Sequence, residues 1–171
     1  MVVKKMINAR AKVTLKTNTK IWDRMVKNLS KPNVQHVRVG WFNKRNTDGI
    51  PLAQIASWNE EGHLNGGMFE GTFTPPRPFI RINFLGKIKD PDWFNKYIPL
   101  FNQLVIGKIS WKRLHEAMGN DLVNLLQESI LEFKTPPNSL VTINMKGFDD
   151  PLIESGQMFD AVEYKVSRRN K

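Results

Sequence analysis

The feature that most constrains this sequence is a long stretch of helical periodicity, which runs from residue 111 to residue 133. Apolar side chains recur along it at helical spacing and predict one amphipathic helix of about six turns. Ser110 is suited to cap its start, and Pro136-Pro137 cannot continue it. The apolar residues of this helix are Trp111, Leu114, Met118, Leu122, Leu125, Leu126, Ile130 and Phe133.

Strands are predicted on both sides of that helix in the chain. Residues 34–42 alternate between apolar and polar side chains, and residues 12–16 do the same. A period of two is typical of a half-buried strand. Residues 140–144 favour a short extended segment, and residues 161–166 favour a closing strand.

Shorter helices are predicted over residues 20–30 and 51–61, and around residues 93–104 with a kink near Pro99. Residues 79–87 suit a helix or a strand, and a helix is favoured. Glycine and proline are concentrated in residues 62–78, which indicates an extended loop. A loop of that length in a compact domain is usually functional or mobile.

The order of these elements predicts an α+β fold, with a small antiparallel sheet packed by helices on one side. A length of 171 residues suits a single domain that spans residues 1–171. Within it, residues 1–10 are expected to be a flexible basic arm and residues 167–171 a flexible basic tail.

Charge is distributed unevenly along the chain. Residues 1–45 contain twelve basic residues and one acidic residue, which gives +11, whereas residues 46–164 carry −5 and residues 165–171 carry +4. Two basic ends suggest contact with an anionic partner, although solvated lysines would give the same pattern. The residues predicted to make this contact are Lys4, Lys5, Arg10, Lys12, Lys16, Lys20, Arg168 and Arg169.

Several classes of protein are disfavoured by composition. The chain has no cysteine, which removes disulfides, thiolate catalysis and cysteine zinc sites and suits assembly in a reducing cytoplasm. No apolar run approaches the roughly 20 residues that a transmembrane helix needs. We also expect no signal peptide, because no apolar stretch follows the basic N-terminus.

Enzymatic chemistry has little support in the sequence. Glu60, Glu61 and His63 are the best candidates for a metal-dependent hydrolase, but residues at this spacing do not share a helix face. Asp149-Asp150 is expected to be a polar turn. The histidines His36 and His115 are expected at the surface or half-buried. We therefore predict no catalytic residue, no metal and no cofactor.

Four segments in chain order carry a resemblance to a known family. The first is Val37-Arg38-Val39-Gly40-Trp41-Phe42, and the second is residues 51–62, which read P-L-A-Q-I-A-S-W-N-E-E-G. The third is Pro75-Pro76-Arg77-Pro78-Phe79-Ile80-Arg81. The fourth consists of Pro136-Pro137-Asn138-Ser139, Thr142, Lys146-Gly147, and P-L-I-E-S-G-Q-M at residues 151–158. This set resembles the tail-completion and head–tail joining (neck) proteins of tailed bacteriophages.

The resemblance implies a function without bond chemistry. It implies a small α+β virion subunit that forms a ring, often a hexamer, at the head-proximal end of the tail and contacts other tail and neck proteins. In such a ring the basic N-terminal segment is expected to contact either a partner protein or, without sequence specificity, the genomic DNA in the lumen. The alternative is a non-specific DNA-binding protein that acts through its basic N-terminal third.

Two roles for the motif residues remain open. They maintain the subunit, or they form its interfaces. For the interfaces, loop 62–76 is the predicted contact between subunits, since ring subunits need segments that bridge neighbours. The predicted interface residues are Phe69, Phe73, Pro76, Arg77 and Phe79.

Overall fold

The computed structural model describes residues 19–30, 35–67 and 70–168. These ranges contain helices, one π-helical segment and four strands. In chain order they are α1 (Thr19–Ser30), β1 (Gln35–Gly40), α2 (Leu52–Glu61), β2 (His63–Leu64), β3 (Phe73–Thr74), the π-helical segment (Phe79–Phe84), α3 (Leu85–Lys89), α4 (Pro91–Asn95), α5 (Ile98–Val105), α6 (Trp111–Glu132), α7 (Leu140–Lys146), α8 (Gln157–Asp160) and β4 (Glu163–Arg168).

The predicted long helix is confirmed as α6. The Ser110 hydroxyl accepts a hydrogen bond from the Arg113 backbone N–H at 3.3 Å, which satisfies one of the unpaired donors of the first turn. Apolar side chains at helical spacing form its buried face, among them Leu122, Leu126 and Ile130.

The principal sheet joins two strands that are distant in sequence. β1 pairs with β4 in antiparallel register, from Gln35 opposite Arg168 to Gly40 opposite Glu163. This two-stranded sheet packs against α6. The predicted α+β class, with a small antiparallel sheet and one long helix, is therefore confirmed.

The core lies between α6, the sheet and the π-helical segment. Phe79 and Ile130 are fully buried there, and Ala56 of α2 is 1% exposed. Trp41, which follows β1, places its ring edge-on to Phe79 at 6.4 Å and donates from Nε1 to the Met158 carbonyl at 2.6 Å. Aromatic side chains thus connect the end of β1 to the C-terminal part of the fold.

Two predicted elements are wrong. Loop 62–78 contains a short hairpin, in which His63 pairs with Thr74 and Leu64 with Phe73. Residues 140–144, predicted to be extended, lie in helix α7. Ser139 caps that helix by accepting from the Thr142 backbone N–H at 3.1 Å, and Gly147 ends it in the left-handed conformation.

The remaining elements follow the predictions more closely. Helices are found at 19–30, 52–61 and 79–89, and the predicted kink near Pro99 separates α4 from α5. Ser167 and Arg168 belong to β4, so the predicted basic tail cannot begin at residue 167. The predicted arm 1–10, the strand 12–16 and residue Arg169 lie outside the described residues.

No helix in the described ranges combines the length and the apolar character needed to cross a membrane.

Candidate functional site

Glu60 joins two of the motif segments. It lies in the last turn of α2, and its side chain is 8% exposed. Its carboxylate accepts the backbone N–H groups of Ile80 and Arg81 at 2.9 and 3.0 Å, and it also accepts Arg81 Nε at 3.0 Å. A buried carboxylate at the start of a helical segment satisfies donors that have no partner within the segment. Glu60 therefore fixes the helical segment that follows Pro78.

Arg77 joins the third motif to the fourth. Its guanidinium is buried and donates to the carbonyls of Pro136 and Pro137, to Pro151 O at 3.1 Å and to Asn138 Oδ1 at 3.2 Å. Burial lowers the pKa of Arg77, and the nearby Asp149 carboxylate opposes that shift. One side chain thus holds together segments that are distant in sequence.

Gly62 allows the hairpin to pack on the end of α2. A Cβ at this position would lie 2.8 Å from the Thr74 carbonyl oxygen, and the residue adopts a φ of 75°. Both conditions favour glycine. The contacts of Gly62, Glu60, Arg77 and Trp41 show that residues of all four motif segments pack against one another inside the subunit.

These contacts correct part of the predicted interface. Phe79 is fully buried in the core and Arg77 is 7% exposed, so neither side chain is available to a neighbouring subunit. Phe73 is 59% exposed and Pro76 is exposed, so both remain accessible. Phe69 lies outside the described residues.

The hairpin and α7 border a groove, and both elements also carry exposed apolar side chains outside its lining. The groove has a volume of about 420 Å³ and a partly polar lining that includes Asn65, Thr74, Thr142 and Lys146. Large apolar side chains on the hairpin and on α7 are exposed, from 57% for Val141 to 79% for Leu140. We call the set the groove surface: Leu64, Phe73, Leu140, Val141 and Met145.

A second exposed apolar surface lies on α1 and on helices α4 and α5. No α1 side chain is buried, and Trp22 is 67% exposed. Next to α1, an apolar hollow of about 370 Å³ is lined by residues of α4, α5 and α6. We call the set the α1–α5 surface: Ile21, Trp22, Val26, Leu29, Phe94, Ile98 and Phe101.

Helix α1 is attached to the body through a polar residue. Asn28 donates from Nδ2 to the Leu104 carbonyl at 3.3 Å, and its own carbonyl accepts Trp111 Nε1 at 3.4 Å. The apolar stripe that the sequence places on α1 is therefore left largely in contact with solvent. Monomeric proteins rarely expose contiguous apolar surfaces of this kind unless the surfaces bind something.

The candidate chemical residues are engaged in structural contacts. The His63 ring lies over Trp58 at 5.6 Å, with Nδ1 3.3 Å from the Trp58 carbonyl oxygen. Asp149 accepts the Asn138 backbone N–H, and Asp150 pairs with Lys134 at 2.9 Å. No cluster of three metal-ligating side chains is found among the described residues.

Two histidines differ in burial. His36 is exposed on β1, and its Nε2 lies 3.1 Å from the Ser167 hydroxyl. His115 is only 7% exposed and stacks against Trp111 at 6.0 Å, so its predicted surface or half-buried position is wrong. Burial lowers the pKa of the His115 imidazole.

Only part of the basic surface could be predicted from the sequence. Of the predicted electrostatic residues, Lys20 is exposed on α1, and the backbone of Arg168 is in β4. Lys4, Lys5, Arg10, Lys12 and Lys16 lie outside the described residues. The bond between Asn28 and Trp111, 83 positions apart, brings the start of α6 next to α1. Averaging charge over segments could not reveal this proximity.

A comparison of the chain with protein-family models, curated proteins and solved structures finds no match.

Proposed function

We propose that this chain is a structural subunit of a tailed-phage virion, which oligomerises at the head-proximal end of the tail and completes the tail or joins it to the capsid. The observation that carries the proposal is that one subunit exposes large apolar side chains on two different sets of elements, the hairpin with α7 and α1 with α4 and α5. The ordered set of four motif segments supplies the link to neck proteins.

Two distinct surfaces favour a ring. In a twofold dimer one patch contacts its own copy, whereas a ring needs one surface of a subunit to bind a different surface of the next. We propose that the groove surface of one copy contacts the α1–α5 surface of its neighbour. The number of subunits follows from the rotation between neighbours, and six is the number that the resemblance implies.

The side chains involved are large enough to stabilise such a contact. Full burial of a Leu, Phe or Met side chain contributes about 1.5–3 kcal/mol, and Trp22 adds a larger apolar area. Tight binding at protein interfaces depends on a few aromatic and aliphatic anchors. Trp22 on one surface and Leu140 on the other are the most exposed large apolar residues of their helices.

The proposed role involves binding alone. The partners would be further copies of the chain and the other tail and neck proteins, in particles assembled in the host cytoplasm. Residues of the motif segments act indirectly. Gly62 allows the hairpin to pack on α2, and Arg77 holds the segments that flank α7, so both position elements that carry the groove surface.

Deletion of the coding sequence from the phage genome tests the proposal by electron microscopy of the lysate. We expect filled capsids and tails that are present but not joined, or tails that lack a completed end. Complementation with the wild-type chain should restore joined particles, and complementation with Trp22→Ser should not. Normal joined virions in the deletion strain would contradict the proposal.

A further inference from the structure

We infer that α1 and the start of α6 together form a binding site for the phosphate backbone of double-stranded DNA. The site consists of six exposed cations, which we call the α1–α6 basic patch: Lys20, Arg24, Lys27, Lys108, Lys112 and Arg113. The inference goes beyond the proposed function and does not depend on ring formation.

The first half of the patch is one face of α1. Lys20, Arg24 and Lys27 are separated by four and three residues, so they lie on the same side of the helix. This side adjoins Asn28, through which α1 is bonded to the body. The basic face of α1 is therefore next to the turn between α5 and α6.

The second half of the patch follows that turn. The Arg24 side chain packs closely on Gly107, where an added Cβ would lie 2.6 Å from Arg24 Cδ. Gly107 is followed directly by Lys108, and Lys112 and Arg113 lie in the first turn of α6. Contact between Arg24 and Gly107 thus joins the two sets of cations into one surface.

Among the residues that the structure describes, few acidic side chains neutralise this charge. Among the six cations, Lys112 alone has an ion pair with a described residue, to Glu116 at 3.7 Å, and its side chain is 85% exposed. Asp23 and Glu116 are the only acidic residues within 19–30 and 106–116. The cations therefore project a positive field toward solvent.

The position of Lys112 and Arg113 is unfavourable for the helix itself. The first turn of α6 has no acidic residue, although the N-terminus of a helix carries partial positive charge and favours anions. Two cations there repel that charge, whereas a bound phosphate would be stabilised by it. A local arrangement that opposes helix stability is expected at functional positions.

The dimensions of the patch fit a duplex. From Lys20 to Lys27, α1 extends about 10 Å, and duplex DNA presents one charge per ~1.7 Å of its axis, which is about six charges over that length. Flexible lysines contact phosphates without reading bases. Binding at this site is therefore independent of sequence.

Fluorescence anisotropy with a labelled 24-base-pair duplex of random sequence tests the inference on the full chain between about 50 and 200 mM NaCl. The variant K108Q/K112Q/R113Q should lower the slope of log K against log salt by about 2–3 and weaken binding at least tenfold at about 100 mM salt. K20Q/K27Q should act in the same direction.

The matched control is K44Q/K89Q/K165Q, which removes the same charge from exposed lysines outside the patch. It should change the slope by less than about 1. Wild-type protein that fails to bind at about 50 mM salt, or equal losses in the two triple variants, would overturn the inference. It would also fail if poly-glutamate displaced the duplex at equal charge concentration, because that result would indicate an acidic protein partner.

Discussion

The ring of Tyr164 in β4 lies directly over Gly119 in α6, so close that a Cβ at residue 119 would be 2.3 Å from Tyr164 Cδ2. Only glycine lacks the Cβ that would clash with this ring. It is found here although glycine is disfavoured in a helix interior by about 1 kcal/mol relative to alanine. The close approach of helix and strand explains why glycine is found at this position. It sets the distance between α6 and the principal sheet.

We predict that Gly119→Ala destabilises the protein, although the helix propensity of alanine favours the opposite result. Overpacking should lower the free energy of unfolding by about 1–3 kcal/mol, as measured by urea denaturation. Gly86→Ala in α3 is the matched control, because nothing lies within 4 Å of a Cβ there. That variant should be neutral or stabilised by up to about 1 kcal/mol. Stabilisation by both substitutions would show that Tyr164 moves freely.

Glu60→Gln should destabilise the fold by about 1–3 kcal/mol, since it removes the buried charge and replaces one of the two acceptor oxygens by an NH2 donor that faces an N–H group. Chemical denaturation provides the measurement. Glu61→Gln is the control: this side chain is 60% exposed and lies 3.5 Å from Arg81, so its removal should cost under about 0.5 kcal/mol. Equal effects of the two substitutions would argue against the role assigned to Glu60.

Arg77→Lys should be poorly tolerated despite the retained charge. An ammonium group cannot reach the carbonyls of Pro136, Pro137 and Pro151 together with Asn138, so acceptors lose their donors. We expect a loss of about 2–4 kcal/mol in thermal or urea unfolding. Arg113→Lys at an exposed position should be neutral within about 0.5 kcal/mol. An Arg77→Lys variant as stable as the wild type would contradict the role of Arg77 in joining these segments.

Stability should fall between about pH 7 and pH 5 in part through His115. Its pKa is lowered in the folded state by burial, so the unfolded chain binds the proton first as the pH falls below the ordinary value of 6.5. The stabilisation is complete above that value and is lost below it, with a slope of at most about 1.4 kcal/mol per pH unit. His115→Gln should flatten the pH profile of unfolding. Parallel profiles for wild type and His115→Gln would exclude this effect.

Periodicity alone predicted the elements that stabilise the core. The long helix and strands β1 and β4 carry clear spacing signals, and the structure confirms them. Helix α7 was missed because Val141, Thr142 and Ile143 are typical of strands. The Ser139 cap and Gly147 at the end were the signals that could have identified it.

The burial of Arg77 and of Phe79 could not be predicted from the sequence. Arg77 looks like a surface residue in a proline-rich turn, and its acceptors, three main-chain carbonyls and the Asn138 side chain, lie 59 to 74 positions away. Phe79 follows the same turn and was placed at an interface, yet it is fully buried in the core. In both cases the deciding contacts are tertiary, so no local pattern reports them.

The proposed ring depends on contact between two different surfaces of the same chain, and native mass spectrometry of a variant mixture tests this contact most directly. Leu140→Ser/Met145→Ser disrupts the groove surface, and Ile21→Ser/Trp22→Ser disrupts the α1–α5 surface. Wild-type protein should form a closed ring, and each variant alone should be monomeric, since neither can supply both halves of the contact. An equal mixture should form a heterodimer through its one intact pair of surfaces. A monomeric wild type at high concentration, or a mixture that stays monomeric while wild type assembles, would contradict the account.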